Sequence, residues 1–217
     1  MEKEIAQTIA FVKQELAHAE AGHDWFHIER VWKTASFICQ KENADAFIVE
    51  LAALLHDIAD AKFHNGDEEM GPQKAGDFLK SLNVEAGMIA HVQQIIKTMS
   101  FKSSFDGMVF TSKEKEIVQD ADRLDAMGAI GIARAFHYGG YKNRPLYNPA
   151  VKPNLRQNKE EYKNSTAPTI NHFYEKLLLL KDRMNTQTGK EMAEDRHQFM
   201  LSYLEQFYAE WNAGFKT

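Results

Sequence analysis

Apolar residues recur at helical intervals along most of the chain, and the places where that period stops divide it into segments. Ile5, Ile9, Val12 and Leu16 share one face of a helix predicted over 3–19, which Gly22 ends. Asp24 is a good N-cap for a second helix that turns Trp25, Ile28, Val31, Ala35 and Ile38 inward. A third, over 44–59, packs Phe47, Leu51, Leu54 and Ile58. After a polar, glycine-containing stretch, Pro72 reads as the first residue of a short helix anchored by Phe78, Leu79 and Leu82. The next helix, over 84–99, buries Val84, Met88, Val92, Ile95 and Met99. Thr111 with Glu114 reads as a capping box opening the longest regular helix, which carries Ile117, Ala121, Leu124, Gly128 and Ile132 on one side. Ile170, Phe173, Leu177, Leu180 and Met184 predict a long amphipathic helix, and Met192, Phe199, Tyr203, Phe207 and Trp211 a last one. Strand alternation, internal repeats and glycine-rich phosphate loops are all absent, so the predicted fold is all-α, a compact multi-helix domain spanning 1–217.

The period fails over 138–168, which holds Pro145, Pro149, Pro153 and Pro168, four of the five prolines. Lys142, Arg144, Lys152, Arg156, Lys159 and Lys163 meet only Glu160 and Glu161 there, a local charge of +4 within a chain whose net charge is −5. A loop of this length inside a compact domain is a lid or a flexible insertion. The basic excess favours a lid over an anion, assigned to 139–168.

The overall acidity, 26 basic against 31 acidic side chains, steers nucleic acid polymers away. The single cysteine, Cys39, excludes an internal disulfide and suits a reducing cytoplasm. The first residues carry no apolar signal core, and no run of eighteen apolar residues occurs, so a cytoplasmic protein that neither spans nor leaves by a membrane is expected.

Against this background a few polar residues stand where solubility does not require them. His56 and Asp57 follow directly on the apolar run that ends in Leu54 and Leu55, with Asp60 one turn beyond. His27 falls in the first turn of the second helix, at the edge of its packed face, where a histidine is as a rule a satisfied core residue unless partners converge on it. Asp122 lies four residues after Val118 and is read as facing the interior, where a carboxylate needs a cation. Two imidazoles and two carboxylates from separate helices leave positions open on a six-coordinate divalent ion. That mixed set suits Mn²⁺ or Fe²⁺ best, with Co²⁺, Mg²⁺, Zn²⁺ or Ni²⁺ as alternatives.

These residues resemble the HD-domain metal-dependent phosphohydrolases, whose pattern is a His, a later His-Asp pair and a distant Asp. His27, His56-Asp57 and Asp122 stand in that order, and the segments around them, among them 22–27, 54–63 and 118–136, are similar to a bacterial subgroup acting on nucleotides. The resemblance implies a helical fold, one divalent ion held by those four residues, and hydrolysis of nucleoside triphosphates to monophosphate and pyrophosphate with Mn²⁺. Asp60 and Lys62 also match subgroup positions. Asp60 suits a catalytic role, accepting or orienting the proton of the attacking water; its plain alternative is to cap the helix end. Lys62, Lys102 and Lys176, with His23 or His91, are candidates to bind the substrate and neutralise phosphate charge. A 5′-nucleotidase, a phosphodiesterase or a nucleotide-binding regulator without turnover are the rival readings.

Overall fold

The computed structural model describes residues 1–17, 24–59, 69–99, 110–155 and 165–214. Among these residues all regular structure is helical, and no helix is long and apolar enough to cross a membrane. They fall into two compact units, Met1–Asp122 and Arg123–Thr217.

The first unit contains α1 (Glu2–Glu15), α2 (Trp25–Glu42), α3 (Ala46–Leu55), α4 (Met70–Ser81), α5 (Ala86–Met99) and most of α6 (Lys113–Asp125). Asp24 caps α2 as its sequence predicts, its carboxylate accepting from the His27 amide at 3.0 Å, and Ile28, Val31, Ala35 and Ile38 are fully buried. Asp45 does the same for α3, accepting from the amides of Phe47 and Ile48. Helix α3 packs against α2, α5 and α1, so seven of its ten residues (Ile48, Val49, Leu51, Ala52, Ala53, Leu54 and Leu55) are buried. Full burial of a leucine contributes about 2 kcal/mol, which makes α3 the axis of this unit. Helices α4 and α5 approach closely at Gly76, where a Cβ would lie 2.2 Å from Gln93 Nε2, itself donating to the Pro72 carbonyl at 2.9 Å.

Several boundaries differ from the periodic pattern. Helix α1 buries only Thr8 and Val12, so its packed stripe is narrower than expected. Pro72 is the third residue of α4, whose first turn begins at Met70. Helix α3 ends at Leu55 and not at residue 59, and at its end the His56 ring nitrogen Nδ1 donates to the Ala53 carbonyl at 2.9 Å. Residues 56–59 form a turn, with the Ile58 amide reaching Leu55 O at 3.5 Å. Ser112, not Thr111, caps α6: its hydroxyl accepts from the Lys115 amide at 3.1 Å.

The second unit holds the end of α6, then α7 (Gly128–Tyr141), α8 (Thr169–Glu175), a 3₁₀ helix (Leu177–Arg183) and α9 (Gln187–Trp211). The single long helix expected across Gly128 is broken. Met127 closes a turn onto Leu124 O at 3.0 Å, and Gly128 takes φ +67°, a conformation that favours glycine. Arginines hold the break: Arg196 donates to Leu124 O, Arg134 pairs with the buried Asp125 carboxylate, and Arg123 donates to Arg183 O. Helix α7 persists to Tyr141, so the irregular segment starts later than predicted. Its flank is fastened to α8 by the amides of Thr169 and Ile170 on Pro145 O and Leu146 O, at 2.9 and 3.0 Å.

The helix expected through Met184 also breaks, at Lys176 (φ −144°, ψ −58°). Leu177 and Leu180 are the buried pair beyond it, a spacing of three that matches the 3₁₀ period. Along α9 the buried positions are Gly189, Ala193, Met200 and Leu204, which turns Phe199 and Trp211 outward, 52% and 49% exposed, against expectation.

Candidate metal centre

Four of the singled-out residues meet in the first unit. The cap on Asp24 sets His27 in the first turn of α2, where its side chain is 2% exposed. His56 and Asp57 are delivered by the end of α3. One ligating atom from each of His27, His56 and Asp57 lies within 4.8 Å of the others. Asp122, on α6, brings Oδ1 to 3.6 Å from His27 Nε2 and 3.9 Å from His56 Nε2. The two imidazoles stand edge to face, centroids 5.4 Å apart.

Asp122 does not sit in the interior as its spacing suggested. Its side chain is 42% exposed and forms the rim of the cluster, while the buried carboxylates of that helix are Asp120 and Asp125. The cluster thus combines two buried imidazoles with a half-exposed carboxylate.

The state of His56 follows from its neighbours. A carbonyl can only accept, so Nδ1 carries a proton and donates to Ala53 O, and in the neutral ring the lone pair is then on Nε2. That Nε2 is buried and has no hydrogen-bond partner among the described residues. An unsatisfied buried acceptor costs roughly 1–3 kcal/mol, and Asp122 Oδ1 lies 3.9 Å from this one. Divalent ions sit about 2.0–2.2 Å from nitrogen and oxygen ligands, so atoms sharing one ion stand about 3–4.4 Å apart. The 3.6 and 3.9 Å separations from Asp122 lie in that range, the other three residues stand within 4.8 Å of one another, and the donor set fits a divalent cation.

Of the remaining candidates, His23, Asp60, Lys62 and Lys102 lie outside the described residues. His91, on α5, is not drawn into the cluster of His27, His56 and Asp57: its Nε2 lies 2.8 Å from Ser112 Oγ and 3.6 Å from Glu114 Oε2, and its ring meets the edge of Phe110. Lys176 is exposed at the break after α8, in the second unit. Two contributors escaped the sequence reading: the Ala53 carbonyl, which no side-chain pattern reveals, and Glu114, which accepts from the Asp45 amide at 3.2 Å. The only signal for Glu114 was its place in the presumed capping box.

Comparison with known proteins agrees with this arrangement. The HD domain is matched over residues 25–127, a span containing all four residues of the cluster. YpgQ of Bacillus subtilis is 40% identical over 207 residues, covering 94% of this chain and 92% of its own. Among solved structures, a Lactobacillus plantarum protein shares 39% identity with a TM-score of 0.84, covering 98% of both chains. An HD-superfamily hydrolase from Bacillus thuringiensis shares 47% identity with a TM-score of 0.78, again covering 98% of both. YpgQ in complex with ADP shares 38% identity with a TM-score of 0.74, over 95% of this chain and 97% of that one. This chain belongs to the HD-domain superfamily of hydrolases.

Proposed function

We propose that the protein hydrolyses nucleoside triphosphates, ribose or deoxyribose, to monophosphate and pyrophosphate with a divalent cation, Mn²⁺ foremost. The observation that carries the reading is the buried, unpartnered Nε2 of His56 facing His27, Asp57 and Asp122. Those four residues would hold the cation. A cation so held supplies hydroxide near neutral pH and polarises a phosphoryl oxygen. The nucleotide assignment is supported by YpgQ, whose crystal structure holds ADP, and by the resemblance of the segments around the four residues to a nucleotide-acting subgroup.

Around that centre the chain's own groups divide the work. Asp60 accepts or orients the proton of the attacking water, and Lys62 and Lys102, with His23 and Lys176, are assigned to the phosphates. The basic segment 139–168 serves as a lid within one functional domain, selecting triphosphates over monophosphates. In the structure Lys142 lies over Tyr141 at 4.8 Å, and Arg144 lies over Tyr138 at 5.5 Å and donates to Ser165 O. Two of the lid's cations therefore start from aromatic and carbonyl partners that a phosphate would have to outcompete. Neutralising Lys142, Arg144 and Arg156 together is expected to raise KM for triphosphate.

The deciding experiment is a screen of nucleoside mono-, di- and triphosphates with Mn²⁺, Mg²⁺ and Co²⁺, with products separated. Pyrophosphate with monophosphate is the expected outcome. Orthophosphate would give the reading to a nucleotidase, ring opening of a cyclic nucleotide to a phosphodiesterase, and tight binding without turnover to a regulator.

A further inference from the structure

What orients the four-residue cluster lies away from it, at the opposite ends of the helices that carry it. Helix α3 lies against α2, α5 and α1, and α6 is not among the helices packed closely on it in the described residues. Yet His56, at the end of α3, and Asp122, on α6, must meet within 3.9 Å. The buried residues Ile117, Val118 and Ala121 of α6 set part of their relative placement, and a directional contact can set the rest.

A polar tie supplies it. Glu114, in the first turn of α6, accepts from the backbone amide of Asp45, the N-cap of α3, at 3.2 Å across a sequence separation of 69 residues. The side chain of Glu114 is only 15% exposed and so is held in place by its surroundings, although the bond itself lies at the surface beside the exposed Asp45. Its other oxygen faces His91 Nε2 at 3.6 Å, and His91 Nε2 also contacts Ser112 Oγ, the cap of α6, at 2.8 Å. Three helices are thus fastened at one point: α3 by its cap amide, α6 by its first turn, and α5 by His91.

The order of contacts matters. Asp45 precedes His56 along α3, and Glu114 precedes Asp122 along α6, so the two helices run in the same direction with the tie at their beginnings and the cluster further on. Helix α3 is about 15 Å long. A shift of α6 along its axis at the tied end carries the Asp122 carboxylate with it, because a helix is stiff over this distance.

We propose that Glu114 is a positioning residue for the metal centre: through the Asp45 amide it sets the register of α6 against α3, and so the distance between Asp122 and His56. The proposal rests on the reading of the four-residue cluster as a cation site, and it reassigns His91 from substrate binding to the support of Glu114. It requires the reach of the Glu114 side chain and not its charge.

Two variants separate reach from charge. Glu114→Asp keeps the charge but withdraws the carboxylate by one methylene, and Glu114→Gln keeps the acceptor in place without the charge. Mn²⁺ affinity by calorimetry, the visible spectrum of bound Co²⁺, and the rise in Tm on adding metal are measured for each. Glu114→Asp is expected to weaken Mn²⁺ binding about tenfold, the scale of groups that orient metal ligands, to alter the Co²⁺ spectrum and to shrink the metal-dependent rise in Tm. Glu114→Gln is expected to behave as the unaltered protein. Equal affinity in Glu114→Asp and the unaltered protein overturns the proposal, as does equal weakening in both variants. A merely structural role would lower the metal-free Tm and leave affinity and spectrum unchanged. Glu114→Ala stands in if Glu114→Asp does not fold, and failure of both to fold assigns Glu114 a structural role instead. Asp122→Asn is the separate control: if it binds Mn²⁺ as tightly as the unaltered protein, the cation site itself is wrong.

Discussion

Helices α3 and α9 solve opposite problems. Helix α3 is ten residues long with seven buried, and its first polar group after the apolar run is His56, where the helix stops. Helix α9 is 25 residues long with four buried, and it displays aromatic residues such as Phe199 and Trp211 to solvent. A helix buried over most of its surface has little face to spare, so α3 carries one polar side chain along its length, Glu50, which accepts from Trp32 Nε1, and presents the rest at its end. A helix packed along one narrow stripe tolerates almost anything elsewhere. Length and aromatic content are therefore poor guides to which element matters for function; the completeness of burial, and what interrupts it, is the better one.

The comparison can be broken at the end of α3 first. His56→Ala removes a proposed ligand and is expected to lower Mn²⁺ affinity at least about a hundredfold, beyond the range seen when only a supporting group is lost. The same change also removes a buried ring and its Nδ1 bond to Ala53 O, so the metal-free Tm should fall as well, and Mn²⁺ affinity is the readout that decides. Near-normal affinity by calorimetry would sink the assignment. Within the body of α3, Leu54 is fully buried, and Leu54→Ala is expected to destabilise by about 3–4 kcal/mol in urea unfolding. A loss under 1 kcal/mol would mean that α3 is not the axis of its unit.

The second unit has its own sensitive point in His172. Desolvation, reinforced by Lys176 and Arg144, pushes its imidazole down from 6.5 to about 3. The folded state therefore refuses a proton that the unfolded state accepts below pH 6.5. Stability is unaffected above that pH and falls as the pH drops from 6.5 toward 3, by about 2 kcal/mol at pH 5 from this residue alone. His172→Asn should flatten the difference between urea midpoints at pH 7 and pH 5, and an unchanged slope would remove the cause. The smallest effect belongs to the outer face of α9: Phe199→Ala is expected to change stability by less than about 0.5 kcal/mol. A large loss there would erase the contrast with α3.

Much of this was legible in the chain itself. Asp24 and the spacing of Ile28, Val31, Ala35 and Ile38 predicted α2 and its inner face, and His27, His56, Asp57 and Asp122 were singled out before the geometry joined them. What escaped depends on contacts that periodicity does not encode. The end of α3, where the His56 ring donates to the Ala53 carbonyl, falls just after the apolar run 51–55, which carries no polar position to mark its boundary. The break before Gly128 depends on a positive φ, and a glycine among small residues reads equally well as close helix packing. The stripe of α9 runs through Gly189 and Ala193, too small to register in a hydrophobic pattern dominated by Phe199 and Trp211. The carboxylate read as half of a capping box proved long enough to bridge to another helix.

Cys39 gives this molecule an unplanned instrument. It is the only thiol, 4% exposed on the inner side of α2, and burial holds its pKa above the usual value, so reagents that attack thiolates will meet an almost inert group. Its labelling rate then becomes a clock for how often α2 lifts away from its neighbours, readable by a colour change without attaching any probe. Since α2 also carries His27, slowing of that clock by Mn²⁺ would report how firmly the ion fastens the helix in place.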